Sequence, residues 1–150
     1  MDDSELVDRL AIRRLADDYA RCADRIDNEG LAALFAPDGV LRICERGNPD
    51  PVRTRSGRAE ISEAIKGLSR YEVTMHLVAN HYVVIDGDTA TGETYCRACH
   101  IRPVEGGAEG ALENYVMNIR YLDRYVRLDE GWRIAERELQ VEWTEVVPVA

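Results

Sequence analysis

From Val73 to Val147 the chain reads almost entirely as strand, and no small domain can hold strands of that length flat. Val73–Ile85 is apolar and rich in β-branched residues. Asp86-Gly-Asp88 is a tight hairpin turn, and Thr89–Arg102 returns from it. Pro103–Gly110 is a Gly-rich loop. Glu113–Leu128 is a long strand, and Asp129-Glu-Gly131 turns it into Trp132–Val147. Such strands must twist or bend strongly to stay inside 150 residues. Val73–Ile85 is apolar on both faces, so both faces should be covered.

What precedes this meander is helical. Ser4 opens a helix whose apolar stripe runs Ile12, Leu15, Ala16, Tyr19, Cys22, Ala23, Ile26. Asn28-Glu-Gly30 breaks it. Leu31–Phe35 reads as a short second helix, stopped by Ala36-Pro-Asp-Gly39. Val40–Cys44 is a short strand, and Glu45–Val52, with its Gly and two Pro, is a loop. Ser56-Gly-Arg-Ala-Glu60 opens a third helix to about Ser69. Helices followed by an antiparallel meander predict an α+β fold. A curved sheet with helices on its concave side leaves an internal pocket.

The length suits one domain over 1–150, large enough for a core without disulfide staples. The net charge of −9 argues against nucleic acid and against an anionic membrane surface. No apolar run approaches a membrane span, and Met-Asp-Asp-Ser-Glu has no secretory character. Four scattered cysteines suggest free thiols and a cytoplasmic location. Cys96 and Cys99 share a strand at a spacing that points them to opposite faces, so they are not a redox pair. No His, Cys, Asp and Glu spacing suits a metal, and no Gly-rich phosphate loop follows a strand, so no cofactor is expected.

The chemistry-bearing residues fall on two segments that read as buried. Asp24 lies on the first helix, in Tyr19-Ala-Arg-Cys-Ala-Asp24-Arg-Ile-Asp27. His76 lies on the strand Thr74-Met-His76-Leu-Val-Ala-Asn80. Burying either group is costly unless each satisfies the other. An Asp that holds a His in one tautomer leaves its free ring nitrogen as a general base. Asp24 lies about 140° around an ideal helix from Tyr19. Either the helix breaks near Asp24 or it is buried on more than one side. Asp27 lies closer to the stripe and is the rival partner. Simple alternation puts His76, Val78, Asn80 and Tyr82 on one face and His81 on the other, where it is structural. Asn80 then orients something polar in the pocket. His100 shares its face with Cys96, Ala98 and Arg102. Tyr115, Met117, Ile119 and Tyr121 form an alternating face that reads as pocket lining. Trp132 and Trp143 read as packing residues.

Together these segments resemble the SnoaL-like group of the nuclear-transport-factor-2-like superfamily. The likeness covers nearly the whole chain. It rests on the Asp24 and His76 segments, on Leu31-Ala-Ala-Leu-Phe-Ala-Pro-Asp-Gly39, on Gly57-Arg-Ala-Glu-Ile61, and on Arg120-Tyr-Leu-Asp123 through Gly131-Trp-Arg-Ile134. The resemblance implies a cone-shaped, mostly antiparallel sheet wrapped around the N-terminal helices. Hexachlorocyclohexane dehydrochlorinase, scytalone dehydratase and bile-acid 7α-dehydratase of this superfamily use a His–Asp dyad to eliminate across a ring carbon–carbon bond. The resemblance therefore implies a cofactor-independent lyase on a small apolar, cyclic substrate. His76 would be the base, Asp24 its orienter and Tyr19 a proton donor, with Asn80, His100, Tyr115 and Met117 against the substrate. The same dyad would also serve an isomerase or a polyketide-cyclase-like enzyme, or the cone a non-catalytic ligand-binding domain. A homo-oligomer, dimer or trimer, is expected.

Overall fold

The computed structural model describes residues 3–149; Met1 and Asp2, where the N-terminal reading begins, lie outside them. The described elements are α1 (Asp3–Arg25), α2 (Asn28–Ala33), β1 (Phe35–Glu45), β2 (Arg53–Ser56), α3 (Gly57–Lys66), a 3-10 turn (Gly67–Arg70), β3 (Val73–Asp86), β4 (Thr89–Pro103), β5 (Leu112–Leu128) and β6 (Gly131–Val149). One six-stranded sheet has the order β2-β1-β6-β5-β4-β3. The β1–β6 pair is parallel and every other pair is antiparallel. This is the α+β cone, with the helices packed into the sheet. The core lies between them and includes Ile12, Leu15, Phe35, Leu41, Ile61, Ala98, Ile119 and Ile134.

The third helix ends at Lys66 rather than near Ser69, the 3-10 turn taking over, and three boundaries before β2 differ from the sequence reading, each for a local reason. The break after α1 comes at Ile26, whose φ of 54° puts a β-branched residue in the left-handed region. Asn28-Glu-Gly30 then starts α2 rather than interrupting it, because the Asp27 carboxylate accepts from the Gly30 amide at 2.9 Å and caps the new helix. Phe35 opens β1 instead of ending a helix, and the register slips between Phe35 and Val40 around Pro37 and Gly39. Arg53–Ser56 is a strand that the sequence hid. It is only four residues long and polar, and it forms by pairing Val40 with Ser56 and Ile43 with Arg53.

The consequential deviation is in β3. Its pairing with β4 shifts between Val78 and His81. A bulge of this kind reverses side-chain alternation beyond it. Thr74, His76 and Val78 face inward before the shift, and His81, Val83 and Ile85 face inward after it. The other face of β3 carries Val73, Met75 and Leu77, all exposed in the single chain. Neither Asn80 nor Tyr82 therefore shares the face of His76, and His81 is on the core side.

Two ion pairs hold the helices and the sheet in register. At the far end of α1, Asp8 accepts from Trp132 Nε1 at 2.9 Å and from both Nη atoms of Arg127, closing α1 onto the β5–β6 hairpin. At the centre, Arg137 and Asp123 meet in a bidentate pair of 2.8 and 2.7 Å with no exposure of either side chain. The Tyr125 hydroxyl donates to the same carboxylate at 2.7 Å. The rings of Tyr19 and Tyr121 flank the guanidinium at 4.2 and 4.1 Å.

Candidate active site

Asp24 sits in the last turn of α1, where the helix dipole disfavours a carboxylate. Three hydrogen bonds compensate. His76 Nδ1 meets Oδ1 at 2.7 Å, the His76 backbone amide donates to Oδ2 at 3.0 Å, and the Thr74 hydroxyl donates to Oδ1 at 3.0 Å. Burial pushes the Asp24 carboxyl up, but the ring and backbone of His76 and the hydroxyl of Thr74 outweigh it and hold the group below the ordinary carboxylate range. Asp24 is thus ionised at neutral pH, and the hydrogen lies on His76 Nδ1. Nε2 remains without a protein partner among the described residues, and His76 lines a cavity. The helix ends at Arg25, one residue beyond Asp24. It is buried on two sides, with Ala16, Ala20 and Ala23 covered as well as Tyr19. Asp27, the rival, is the exposed cap of α2 and does not touch His76.

The cavity is about 200 Å³ and lies between α1, α3 and the inner face of the sheet. Tyr19, His76, His100 and Met117 all line it, as do Tyr71, Ile119 and Tyr121. His100 stands perpendicular to His76, with ring centroids 5.7 Å apart. Its Nδ1 lies 3.0 Å from the Tyr115 carbonyl, so Nδ1 donates and Nε2 is free to accept. Burial pushes the His100 pKa down, which keeps the ring neutral at pH 7. Tyr115 is therefore behind the site: its backbone orients His100, while its ring lies under Arg102. Tyr19 is buried, and burial raises its pKa, so it keeps its proton. Asn80 is exposed and turned away by the β3 bulge, into a shallow surface hollow with Tyr82 and Glu93. It is removed from the pocket. His81 lies on the core side of β3, outside the lining of the His76 cavity, and borders the same surface hollow as Asn80; its Nε2 is buried and unpartnered.

The sequence reading missed Thr74, Tyr71 and the Arg137–Asp123 pair. Thr74 carries a signal, since it lies two residues before His76 and so shares its face. Asp123 carries the same signal between Tyr121 and Tyr125. Tyr71 follows a short 3-10 turn that no periodicity marks. The four cysteines are free, and burial pushes the Cys96 thiol up to about 11, which makes it unreactive. Among the described residues no helix is long and apolar enough to cross a membrane, and no group of His, Cys, Asp and Glu is placed to hold a metal.

A SnoaL-like domain model matches residues 4–138. The chain belongs to the SnoaL-like family. Its relatives include Rv2910c of Mycobacterium tuberculosis, an uncharacterized protein 29% identical over 136 residues, which span 89% of this chain and 85% of that one. Among solved structures, a candidate scytalone dehydratase from Novosphingobium aromaticivorans superposes with a TM-score of 0.81 at 25% identity, over 100% of this chain and 94% of the other. A type 3 hexachlorocyclohexane dehydrochlorinase from Novosphingobium barchaimii superposes with a TM-score of 0.78 at 19% identity, over 97% and 92% of the two chains. That last likeness is one of fold alone.

Proposed function

We propose that this SnoaL-like protein is a cofactor-independent lyase that eliminates water or hydrogen halide from a small apolar, cyclic molecule. The observation that carries this is the clamp on His76. A carboxylate held by three hydrogen bonds fixes the imidazole tautomer and leaves Nε2 without a protein partner, on a residue that lines a largely apolar cavity. His76 Nε2 takes a proton from carbon. The C–H electron pair becomes the new C=C bond as the carbon–oxygen or carbon–halogen bond breaks. Asp24 stabilises the imidazolium. For a leaving hydroxyl, Tyr19 supplies the proton that makes it water, and the proton on His76 then passes by way of solvent to the Tyr19 phenolate, which restores both groups. The Arg137 guanidinium against the Tyr19 ring offsets the charge left on the phenolate. His100 Nε2 accepts from a substrate hydroxyl. General-base catalysis contributes roughly 10²–10⁴-fold, and exclusion of water by the pocket supplies more.

The test is a panel of cyclic β-hydroxy ketones and chlorinated cyclohexanes, with products read by mass spectrometry. The expected product has lost water or hydrogen halide. An unchanged mass with altered retention would replace the lyase by an isomerase or cyclase using the same dyad. Binding without any product would reduce the domain to a ligand carrier.

The expected homo-oligomer also stands as a proposal. Met75, Leu77, Tyr95 and Trp143 are exposed together on the open sheet face, the natural seat for a second copy. Light scattering that returned a monomer would remove it.

A further inference from the structure

A net charge of −9 leaves an average site on this protein acidic, yet the charged side chains lining the cavity are all basic. Arg53, Arg55 and Arg70 line it, and no Asp or Glu does. Their placement follows from the fold. Arg53 pairs with Ile43 and Arg55 with Leu41 across the β1–β2 ladder. Directly opposed residues share a face, and Ile43 and Leu41 both line the cavity. The two arginines thus stand on the cavity side of the edge strand, although nothing in the core requires a cation there. Arg70 approaches from the 3-10 turn, with its guanidinium 4.8 Å over the Tyr71 ring and its Nη2 donating to the Tyr71 hydroxyl at 2.9 Å. Tyr71 in turn packs on His100 at 4.7 Å, so a line of contacts runs from Arg70 to His76.

These arginines differ from most others in the chain. Arg9, Arg13, Arg42, Arg97, Arg102 and Arg127 each hold a carboxylate. Arg53, Arg55 and Arg70 pair with no carboxylate among the described residues. Guanidinium groups gathered at one cleft, without counter-charge, focus a positive field where an anion would enter.

We propose that the substrate of this site is an organic anion: a single apolar ring, seated against His76, bearing a carboxylate that Arg53, Arg55 and Arg70 receive at the mouth. The inference rests on the reading of this cavity as the active site. The size agrees, since an apolar cavity of roughly 150 Å³ takes up benzene and this one, at about 200 Å³, has room for a ring with small substituents. A guanidinium fork matches a carboxylate in a bidentate way that a neutral isostere cannot reproduce.

The experiment compares cyclohexanecarboxylate with cyclohexanecarboxamide by titration calorimetry at pH 7. The acid should bind about tenfold more tightly or better, and added salt should weaken the acid and not the amide. The triple variant Arg53→Gln, Arg55→Gln, Arg70→Gln should bring the two to parity with an unchanged melting temperature. Should it fail to fold, the three single variants are read the same way, each lowering the preference. Equal binding of acid and amide by the wild type, saturation by neither, or a preference that survives the substitutions overturns the proposal. Binding needs no chemistry, so the outcome is separable from that of the dyad. His76→Ala should keep its preference for the acid. Full turnover in His76→Ala would sink the lyase reading and leave the anion site standing.

Discussion

Two of the acid–base pairs in this molecule are similar in length and opposite in character. Asp123 and Arg137 are fully buried, doubly hydrogen-bonded and walled in by Tyr19 and Tyr121. Asp24 and His76 are partly covered, and only the acid is saturated; the base lines a cavity and keeps one ring nitrogen free. The first arrangement spends all its bonding capacity on itself except for Arg137 Nη1, which is buried without a partner. The second holds one atom in reserve. A buried pair with little left over serves the architecture, whereas a pair whose base is oriented and unfinished can act on something else. Tyr19 joins the two, since its ring covers Arg137 and also lines the cavity.

The contrast breaks first at the core pair. Asp123→Ala leaves Arg137 buried and unpaired and should cost about 3–5 kcal/mol of stability in urea unfolding. A loss below about 1 kcal/mol would show that solvent reaches the guanidinium. At the other pair the loss should fall on chemistry. Asp24→Asn and His76→Ala should lower turnover of an identified substrate by roughly 10²–10⁴-fold, with circular dichroism unchanged. Near-wild-type turnover in both would end the comparison. Thr74→Val is gentler. It removes one of three bonds to Asp24 and should cost about 0.5–1.5 kcal/mol in stability, with a fall in kcat rather than a rise in KM.

The smallest effect is on pH dependence. Burial lowers the pKa of His81 and of His100 from 6.5, so the unfolded chain binds protons there more readily than the fold does. Their contribution is complete above pH 6.5 and is lost as the pH falls below it. Melting temperature should therefore drop on acidification from pH 7 to 5, and His81→Gln should flatten that drop. Asp24 acts at lower pH. Its lowered pKa stabilises the fold above 3.8, and that share is lost as the pH falls through the folded value. Asp24→Asn should remove only this acid limb.

Much of the fold is legible in the chain because period and punctuation agree. The α1 stripe as far as Ala23, the Asp86-Gly-Asp88 and Asp129-Glu-Gly131 turns and the four long strands lie where spacing and turn chemistry put them, while Ile26, the last residue of the stripe, falls outside the helix and is exposed. Short elements are less legible. Arg53–Ser56 has no pattern of its own and becomes a strand only because β1 offers it a ladder. The candidate site divides along the same line. Asp24 and His76 are visible as residues costly to bury alone, and their segments resemble a family pattern. Asn80 is misplaced by simple alternation, because the bulge before His81 depends on how β3 pairs with β4.

Sequence alone determines the periods, the turns and the residues whose burial demands a partner, since each depends on neighbours a few positions away. Tertiary structure decides which partner each one finds. It chooses Asp24 over Asp27 by spending Asp27 on the cap of α2. It buries Asp123 against Arg137, and it gathers Arg53, Arg55 and Arg70 around one cavity. These choices are set by contacts between segments tens of residues apart, and no local pattern records them.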